Sequence, residues 1–231
     1  MRVMVGMSGY SYDGWKGSFY PEKLAKAKML GFYAGKLDAV EINNTFYRMP
    51  KRSVVENWAA QVPDGFSFSL KATRRITHQK KLEDAGDELE YILSTVDALG
   101  ANQGPMLFQL PPFLRRGDDR LKGFLDLLPD GFQAAFEFRH ESWYCDEIYG
   151  ALKDAGAALV ISQSEKLETP VVATAPYGYL RLRKGQYDAK ELDDWADRIR
   201  SQPWETVHVY FKHEDNAVGP EMAAAFAARF A

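Results

Sequence analysis

The chain has few of the features that direct a protein to a membrane or an oxidising compartment. Its 231 residues include a single cysteine, Cys145, so no internal disulfide can form, which suits a reducing cytosol. No apolar run approaches the ~20 residues needed to span a bilayer. From Met1 onward, no basic region precedes a long apolar stretch as in a secretory signal. We therefore expect a cytoplasmic protein without a membrane partner.

The sequence also lacks an excess of positive charge and any clear metal-binding motif. Its formal net charge is −3 at pH 7, so overall charge does not predict a nucleic-acid partner. Metal-dependent sites on barrels need clustered His, Asp and Glu side chains. The four histidines show no ligand spacing to one another and lie at positions 78, 140, 208 and 213. We predict no obligatory metal and no cofactor.

What the sequence does contain is eight short runs in which apolar and polar residues alternate. Successive side chains of a strand point to opposite faces. In the run from Phe66 to Lys71, the two serines and the lysine therefore share one face, and the apolar residues share the other. The runs are spaced by about 29 residues, close to one βα unit, and end near Ser8, Glu41, Lys71, Gln109, Glu137, Ser162, Arg181 and Lys212.

These runs, separated by sequences with helical periodicity, predict an α/β fold. We expect a single TIM-like (β/α)₈ barrel that comprises residues 1–231 as one domain. The interval between Ser162 and Arg181 is short and contains Pro170 and Pro176, which predicts an irregular sixth connection instead of a helix. An open doubly wound sheet is the alternative, but its strands would be apolar on both faces.

Two intervals show clear signals for the ends of helices. Apolar residues at helical spacing begin at Leu89 and stop before Gly100, which predicts a helix that ends at this glycine. Asp188 followed by Glu191 has the pattern of a capping box. It predicts the start of a helix at residue 188.

Several motifs resemble one family across nearly the whole chain. They include GMSGY at 6–10, VEINNTFYRMP at 40–50, FSLK at 68–71, QLPP at 109–112, EFRH at 137–140, YLR at 179–181 and VYFKHED at 209–215. They resemble the YecE-like family, known as domain of unknown function 72. The resemblance implies a TIM-barrel fold and no established biochemical function. Many members carry His-Gly after the arginine of the seventh strand, where this chain has Arg183-Lys184-Gly185. His213 is the nearest substitute for that histidine.

Because active sites of TIM barrels lie at the C-terminal ends of the strands, the polar residues at the run ends form the candidate site. The candidate catalytic residues are Glu41, Lys71, Glu137 and His140, with the carboxylates as acid/base or hydroxyl-binding groups and His140 as a proton carrier. The candidate substrate-binding residues are Ser8, Asn43, Gln109, Arg139, Tyr179, Arg181, Tyr210 and Lys212. Four cations in this set oppose two carboxylates, and a bound anion would resolve their repulsion.

This arrangement supports several hypotheses. The leading one is a site for a phosphorylated or otherwise anionic small molecule, serving a metal-independent hydrolase or isomerase. A nucleic-acid-binding module without chemistry is the alternative, with loop aromatics such as Tyr47 and Trp143 stacking on bases. A third is that the two glutamates pair with Lys71 and Arg139 and simply fill the barrel. Glycoside hydrolysis is disfavoured because nearby cations lower the pKa of a would-be acid. A Schiff base at Lys71 is opposed by Glu41.

Overall fold

The computed structural model describes residues 1–164, 167–212 and 217–230 of the chain. Strands and helices alternate through these residues. The strands are β1 (Arg2–Met7), β2 (Ala39–Ile42), β3 (Ser67–Leu70), β4 (Met106–Gln109), β5 (Ala134–Glu137), β6 (Ala158–Ser164), β7 (Leu167–Glu168), β8 (Tyr177–Leu182) and β9 (Thr206–Phe211). The α-helices are α1 (Met29–Ala34), α2 (Arg52–Ala59), α3 (Gly86–Val96), α4 (Asp118–Leu125), α5 (Asp146–Asp154), α6 (Ala189–Arg200) and α7 (Val218–Ala227).

Eight of the strands run parallel and form a nearly closed barrel, which confirms the predicted fold. Their order around the barrel is β3-β2-β1-β9-β8-β6-β5-β4. Backbone hydrogen bonds join the last strand to the first: Ala72 N donates to the carbonyl of Leu107 at 2.8 Å, and Gly104 N donates to that of Phe68 at 2.9 Å. The ninth strand, β7, pairs antiparallel with β6 outside this order.

Alternation along the strands divides the core into two layers, as the sequence predicts. Phe66, Phe68 and Leu70 belong to the apolar layer between the barrel and its helices. A second, smaller cluster fills the barrel interior and includes Leu107 and Tyr179. Helices cover the outward faces of the strands. The inward faces are therefore free to carry polar side chains toward the strand ends.

The connections between the strands follow the predicted pattern, except that helix α3 is shorter than predicted. Between β6 and β8 the described residues contain the short strand β7 and no helix, which confirms the irregular sixth connection. Asp188 caps α6, and Glu191 completes the capping box. Helix α3 ends at Val96, earlier than predicted, and 3₁₀ turns continue to Asn102, interrupted at Gly100, whose φ of 53° is not helical.

The strand ends decide which predicted residues lie in the barrel and which lie in loops. Strand β5 ends at Glu137 and β9 at Phe211, so Arg139 and Lys212 lie just beyond their strands. Strand β6 continues past Ser162 to Ser164, because its last two residues pair with β7. The predicted polar set is therefore arranged at different heights along the barrel axis.

Candidate functional site

A buried ion triad lies at the centre of the strand ends. Arg181 of β8 donates through Nη2 to Glu41 Oε1 at 2.8 Å and through Nη1 to Glu137 Oε2 at 2.6 Å. All three side chains are almost completely buried. The carboxylates come from β2 and β5, on different sides of the barrel, so one guanidinium joins them across its interior. A charge-assisted pair of this kind is strong only while both carboxylates remain ionised.

The carboxylate of Glu41 is saturated with hydrogen bonds. Its Oε1 also accepts from Ser8 Oγ at 2.9 Å and from Asn43 Nδ2 at 2.8 Å, and its Oε2 accepts from Tyr179 Oη at 2.8 Å. Burial alone would raise the pKa of Glu41, but the charge of Arg181 and these donors lower it to about 2. An ionised carboxylate without a free acceptor site is poorly suited to transfer protons, so Glu137 is the better placed of the two candidates.

A chain of hydrogen bonds leads from Glu137 to Lys71. Gln109 Nε2 donates to Glu137 Oε2 at 2.9 Å, and Lys71 Nζ donates to Gln109 Oε1 at 2.7 Å. Among the described residues no hydrogen bond reaches Glu137 Oε1. Burial and, next, the charge of Arg181 lower the pKa of Lys71 to about 8, although both glutamates oppose this shift. The ammonium group lies 4.3 Å from the ring centroid of Phe46, which shields it on one side.

Arg183 belongs to the site, although sequence reasoning left it out of the candidate set. It follows Arg181 by two residues, and the alternation of β8 already gave it the same face as Arg181. Burial first, and then the charge of Arg181, lower the pKa of its half-buried guanidinium; Arg139 adds to this effect. The charge of Arg183 in turn lowers the pKa of Lys71. These shifts show that the cations lie close enough to repel one another.

His78 is a second residue that the candidate set lacks. It lies on a π-helical turn, Arg75–Gln79, after β3; such turns are frequent at functional sites. Its ring packs edge-on against Phe46 with centroids 4.9 Å apart, and its Nδ1 lies 2.9 Å from Thr77 Oγ1. Burial and the charge of Lys71 lower its pKa. Alternation could not orient His78, because this residue lies outside the strands.

The two glutamates pair with Arg181, and not with Lys71 and Arg139 as the barrel-filling hypothesis assumed. Within the described residues no carboxylate lies within ion-pair distance of Lys71, Arg139 or Arg183. Arg139 is exposed beyond the end of its strand. Arg181 thus satisfies both carboxylates, which leaves Lys71, Arg139 and Arg183 without an acidic partner among the described residues.

Other candidate residues have structural contacts. Tyr210 is buried below the mouth of the barrel and donates to Ser69 Oγ at 2.8 Å. Tyr179 donates its hydroxyl hydrogen bond to Glu41 of the triad. Neither ring has measurable exposure, so both form the floor of the site. His140 caps the short helix that follows β5, with Ser142 N donating to its Nδ1 at 3.1 Å.

The remaining predictions concern Lys212, His213, metals and membranes. Lys212 is half-buried at the end of β9, and His213 lies outside the described residues. Among the side chains that the structure describes, no three His, Cys, Asp or Glu residues come close enough together to hold a metal ion. In the same residues no helix has the length and apolarity required to cross a membrane.

Comparisons with known sequences agree with the motifs. YecE of Escherichia coli K12 is 35% identical over 113 residues, which cover 48% of this chain and 42% of YecE. YunF of Bacillus subtilis 168 is 28% identical over 156 residues, 64% of this chain and 54% of YunF. The chain thus spans about half the length of the curated relatives it matches.

Solved structures and a family model match much more of the chain. A DUF72 family protein from Thermotoga maritima superposes with a TM-score of 0.86 at 24% identity, covering 100% of this chain and 99% of that one. One from Enterococcus faecalis gives 0.82 at 19% identity, with 98% and 94% covered. The model described as protein of unknown function DUF72 matches residues 4–231. The chain therefore belongs to the DUF72 family.

Proposed function

We propose that the strand ends bind a phosphorylated or otherwise anionic small molecule. The observation that carries this proposal is the group of three cations, Lys71, Arg139 and Arg183, defined here as the cationic cluster. No carboxylate among the described residues pairs with any of them, because Arg181 occupies both glutamates. Burial first, and then the charge of Arg181, lower the pKa of Lys71 and of Arg183. Repulsion from Arg183 adds to the shift of Lys71, and repulsion from Arg139 adds to that of Arg183.

An anion is the ligand that relieves this repulsion most directly. Like charges that are partly buried are costly unless a counter-ion neutralises them. A guanidinium group forms paired hydrogen bonds with phosphate oxygens, and an ammonium group acts as a mobile point charge. Arg183 and Lys71 supply one of each. The buried triad beneath them, held by two charge-assisted pairs, provides a fixed base for the bound anion.

The same geometry supports a metal-independent proton transfer next to the bound anion. A general acid or base works best when its pKa is near the working pH, and the pKa of Lys71 is about 8. Glu137 has a pKa below its usual range, because Arg181 outweighs the effect of burial. It serves as an ionised acceptor whose Oε1 is available. A hydrolase or an isomerase of a phosphorylated compound would use this pair.

The test is calorimetric titration with inorganic phosphate and glycerol 3-phosphate at low salt. We expect saturable binding to the wild type and at least a tenfold weaker affinity in Lys71→Met and in Arg183→Met. Lys36→Met removes the same charge from an exposed position before β2, at the opposite end of the barrel, and should bind as the wild type does. If the wild type does not bind either anion, or if all variants bind equally, the proposal is wrong.

A second candidate function, nucleic-acid binding, has an observation of its own. Tyr47 is 75% exposed and Phe113 is 68% exposed, and Lys81 Nζ lies 5.8 Å from the Phe113 ring. Tyr47 also lines a surface cleft of about 520 Å³ with Arg48 and Arg74. Exposed rings beside cations are typical of surfaces that stack single-stranded bases. Binding of this kind should weaken steeply with salt and should be lost in Tyr47→Ala, whereas a compact ligand should be insensitive to that change.

A further inference from the structure

A separate cleft of about 240 Å³ opens beside the mouth of the barrel. It lies between the loops that follow β1 and β2. We call it the side cleft and define it by three aromatic and three polar side chains that line it: Tyr10, Tyr12, Trp58, Asn43, Asn44 and Arg48. Two of the candidate substrate-binding residues, Ser8 and Asn43, also line this cleft.

The side cleft adjoins the cationic cluster through a single helical turn. Asn44 begins this 3₁₀ turn and lines the cleft, while Phe46 ends it and lies against the ammonium of Lys71. Between them Thr45 donates to the carbonyl of Lys71 at 2.6 Å, which holds the turn against β3. A ligand that fills the cleft and extends past this turn therefore reaches the cations.

The aromatic walls are fixed in place by contacts on their far sides. Tyr12 donates to the carbonyl of Ser8 at 2.8 Å. Trp58 stacks on the buried Phe68, with ring planes 18° apart and centroids 6.3 Å apart. Rigid, flat walls favour a planar guest, because neither the rings nor the guest loses much conformational freedom on stacking.

The polar side chains of the cleft have hydrogen-bonding capacity to spare. Asn43 uses one N–H for Glu41, which leaves its second N–H and its carbonyl oxygen. Within the described part of the chain, neither Asn44 nor Arg48 has a side-chain hydrogen bond. An amide that presents a donor beside an acceptor matches the edge of a nucleobase, as amide side chains do when they read adenine.

We propose that the side cleft binds the base of a nucleoside monophosphate whose phosphate lies in the cationic cluster. This inference rests on the proposed function of the mouth and narrows its ligand to one class. The triad links the two parts, since Asn43 in the cleft and Arg181 below the cations share Oε1 of Glu41. Base recognition is thereby coupled to the same rigid floor that supports the cations.

The test compares three probes by calorimetry: adenosine 5′-monophosphate, ribose 5-phosphate and inorganic phosphate. Stacking of one base raises affinity about 5- to 150-fold, so we expect the nucleotide to bind at least about fivefold more tightly than ribose 5-phosphate. In Asn44→Trp the new ring fills the cleft, and the nucleotide affinity should fall to that of ribose 5-phosphate. Ser53→Trp, at an exposed position of α2 outside the cleft, should keep the full difference.

The outcomes separate this inference from the proposed function. If the nucleotide and ribose 5-phosphate bind wild type equally, the side cleft does not bind a base, while the anion site stands. If neither ester nor phosphate binds, both proposals fail. If Asn44→Trp keeps the full preference for the nucleotide, the base lies elsewhere. Binding of ribose 5-phosphate to Asn44→Trp, together with an unchanged melting temperature, shows that this variant is folded.

Discussion

Replacing Arg181 by Met should destabilise the fold strongly, although the side chain lies in the candidate site. Methionine keeps the apolar part of the side chain and reaches about as far as Nε of arginine, so the main loss is the guanidinium. Its removal leaves the carboxylates of Glu41 and Glu137 buried without a counter-ion. The structure thus predicts that Arg181 contributes to stability first and to ligand binding only through the cations above it.

Two independent arguments give the magnitude. Breaking a buried ion pair by removing one partner costs about 3–5 kcal/mol. In the native state the pKa of Glu41 falls from 4.5 to about 2, a shift equivalent to about 3 kcal/mol of stabilisation at neutral pH. The second figure also contains burial and the hydrogen bonds of Asn43 and Tyr179, which the variant keeps, so the first sets the expectation. The free energy of unfolding of Arg181→Met should be lower than that of wild type by about 3–5 kcal/mol at pH 7.

The pH dependence of the loss identifies its cause. In wild type the lowered pKa of Glu41 stabilises the fold above pH 4.5, and this contribution is lost as the pH falls toward 2. In Arg181→Met, burial dominates and raises the pKa of the carboxylates above the value in the unfolded chain. Their contribution is then favourable in acid and is lost as the pH rises through the raised pKa. The stability difference between the two proteins should therefore be larger at pH 7 than at pH 5.

Urea denaturation at several pH values measures this difference. The matched control is Arg198→Met, which breaks a half-exposed pair with Glu168 and should cost at most about 1 kcal/mol. The triple variant that also carries Glu41→Gln and Glu137→Gln should regain much of the lost stability, because the uncompensated charges are gone. A loss for Arg181→Met below about 1 kcal/mol, or a loss that does not change between pH 5 and pH 7, would refute the reasoning.

Three further predictions follow from the fold and from the charges at its mouth. Phe68→Ala should destabilise the protein by about 3–5 kcal/mol in urea denaturation, because this fully buried ring packs between two aromatic neighbours; a loss under 1 kcal/mol would contradict the orientation of β3. Sulfate, whose charge is constant above pH 6, should bind more weakly as the pH rises through about 8 and Lys71 loses its proton; Lys71→Arg should remove this dependence, and a pH-independent wild type would exclude Lys71 from the site. Asp188→Ala should cost about 1 kcal/mol through loss of the cap of α6, and Asp188→Asn much less; equal losses in thermal denaturation would argue against capping.

The alternation of side chains was sufficient to predict the barrel, because it is a local property of each strand. Residues two apart on one strand share a face wherever the strand lies. The inward position of Glu41, Glu137 and Arg181 was therefore readable from three separate stretches of sequence. The start of α6 was readable for the same reason, since the capping box at Asp188 involves residues only three positions apart.

The partners of these side chains were not readable, because they depend on how the strands are placed around the barrel. Arg181 meets a carboxylate 140 residues away and another 44 residues away, and no local pattern specifies either pair. Arg181 was expected from the sequence to hold an anion; in the structure it is the counter-ion of both glutamates.

The pairing of Arg181 bears on the proposed anion site. A guanidinium that satisfies two carboxylates has little attraction left for an anion, so under that proposal the cations just beyond the strand ends would bind it. Arg183 is one of these, and alternation had already given it the right face. The candidate set omitted Arg183 because the seventh polar run was expected to end near Arg181. In a parallel barrel, a polar residue just past a strand end should be considered as a site residue together with the last inward residue of the strand, when the two share a face. Its side chain still points toward the mouth of the barrel, but neighbouring strands no longer enclose it.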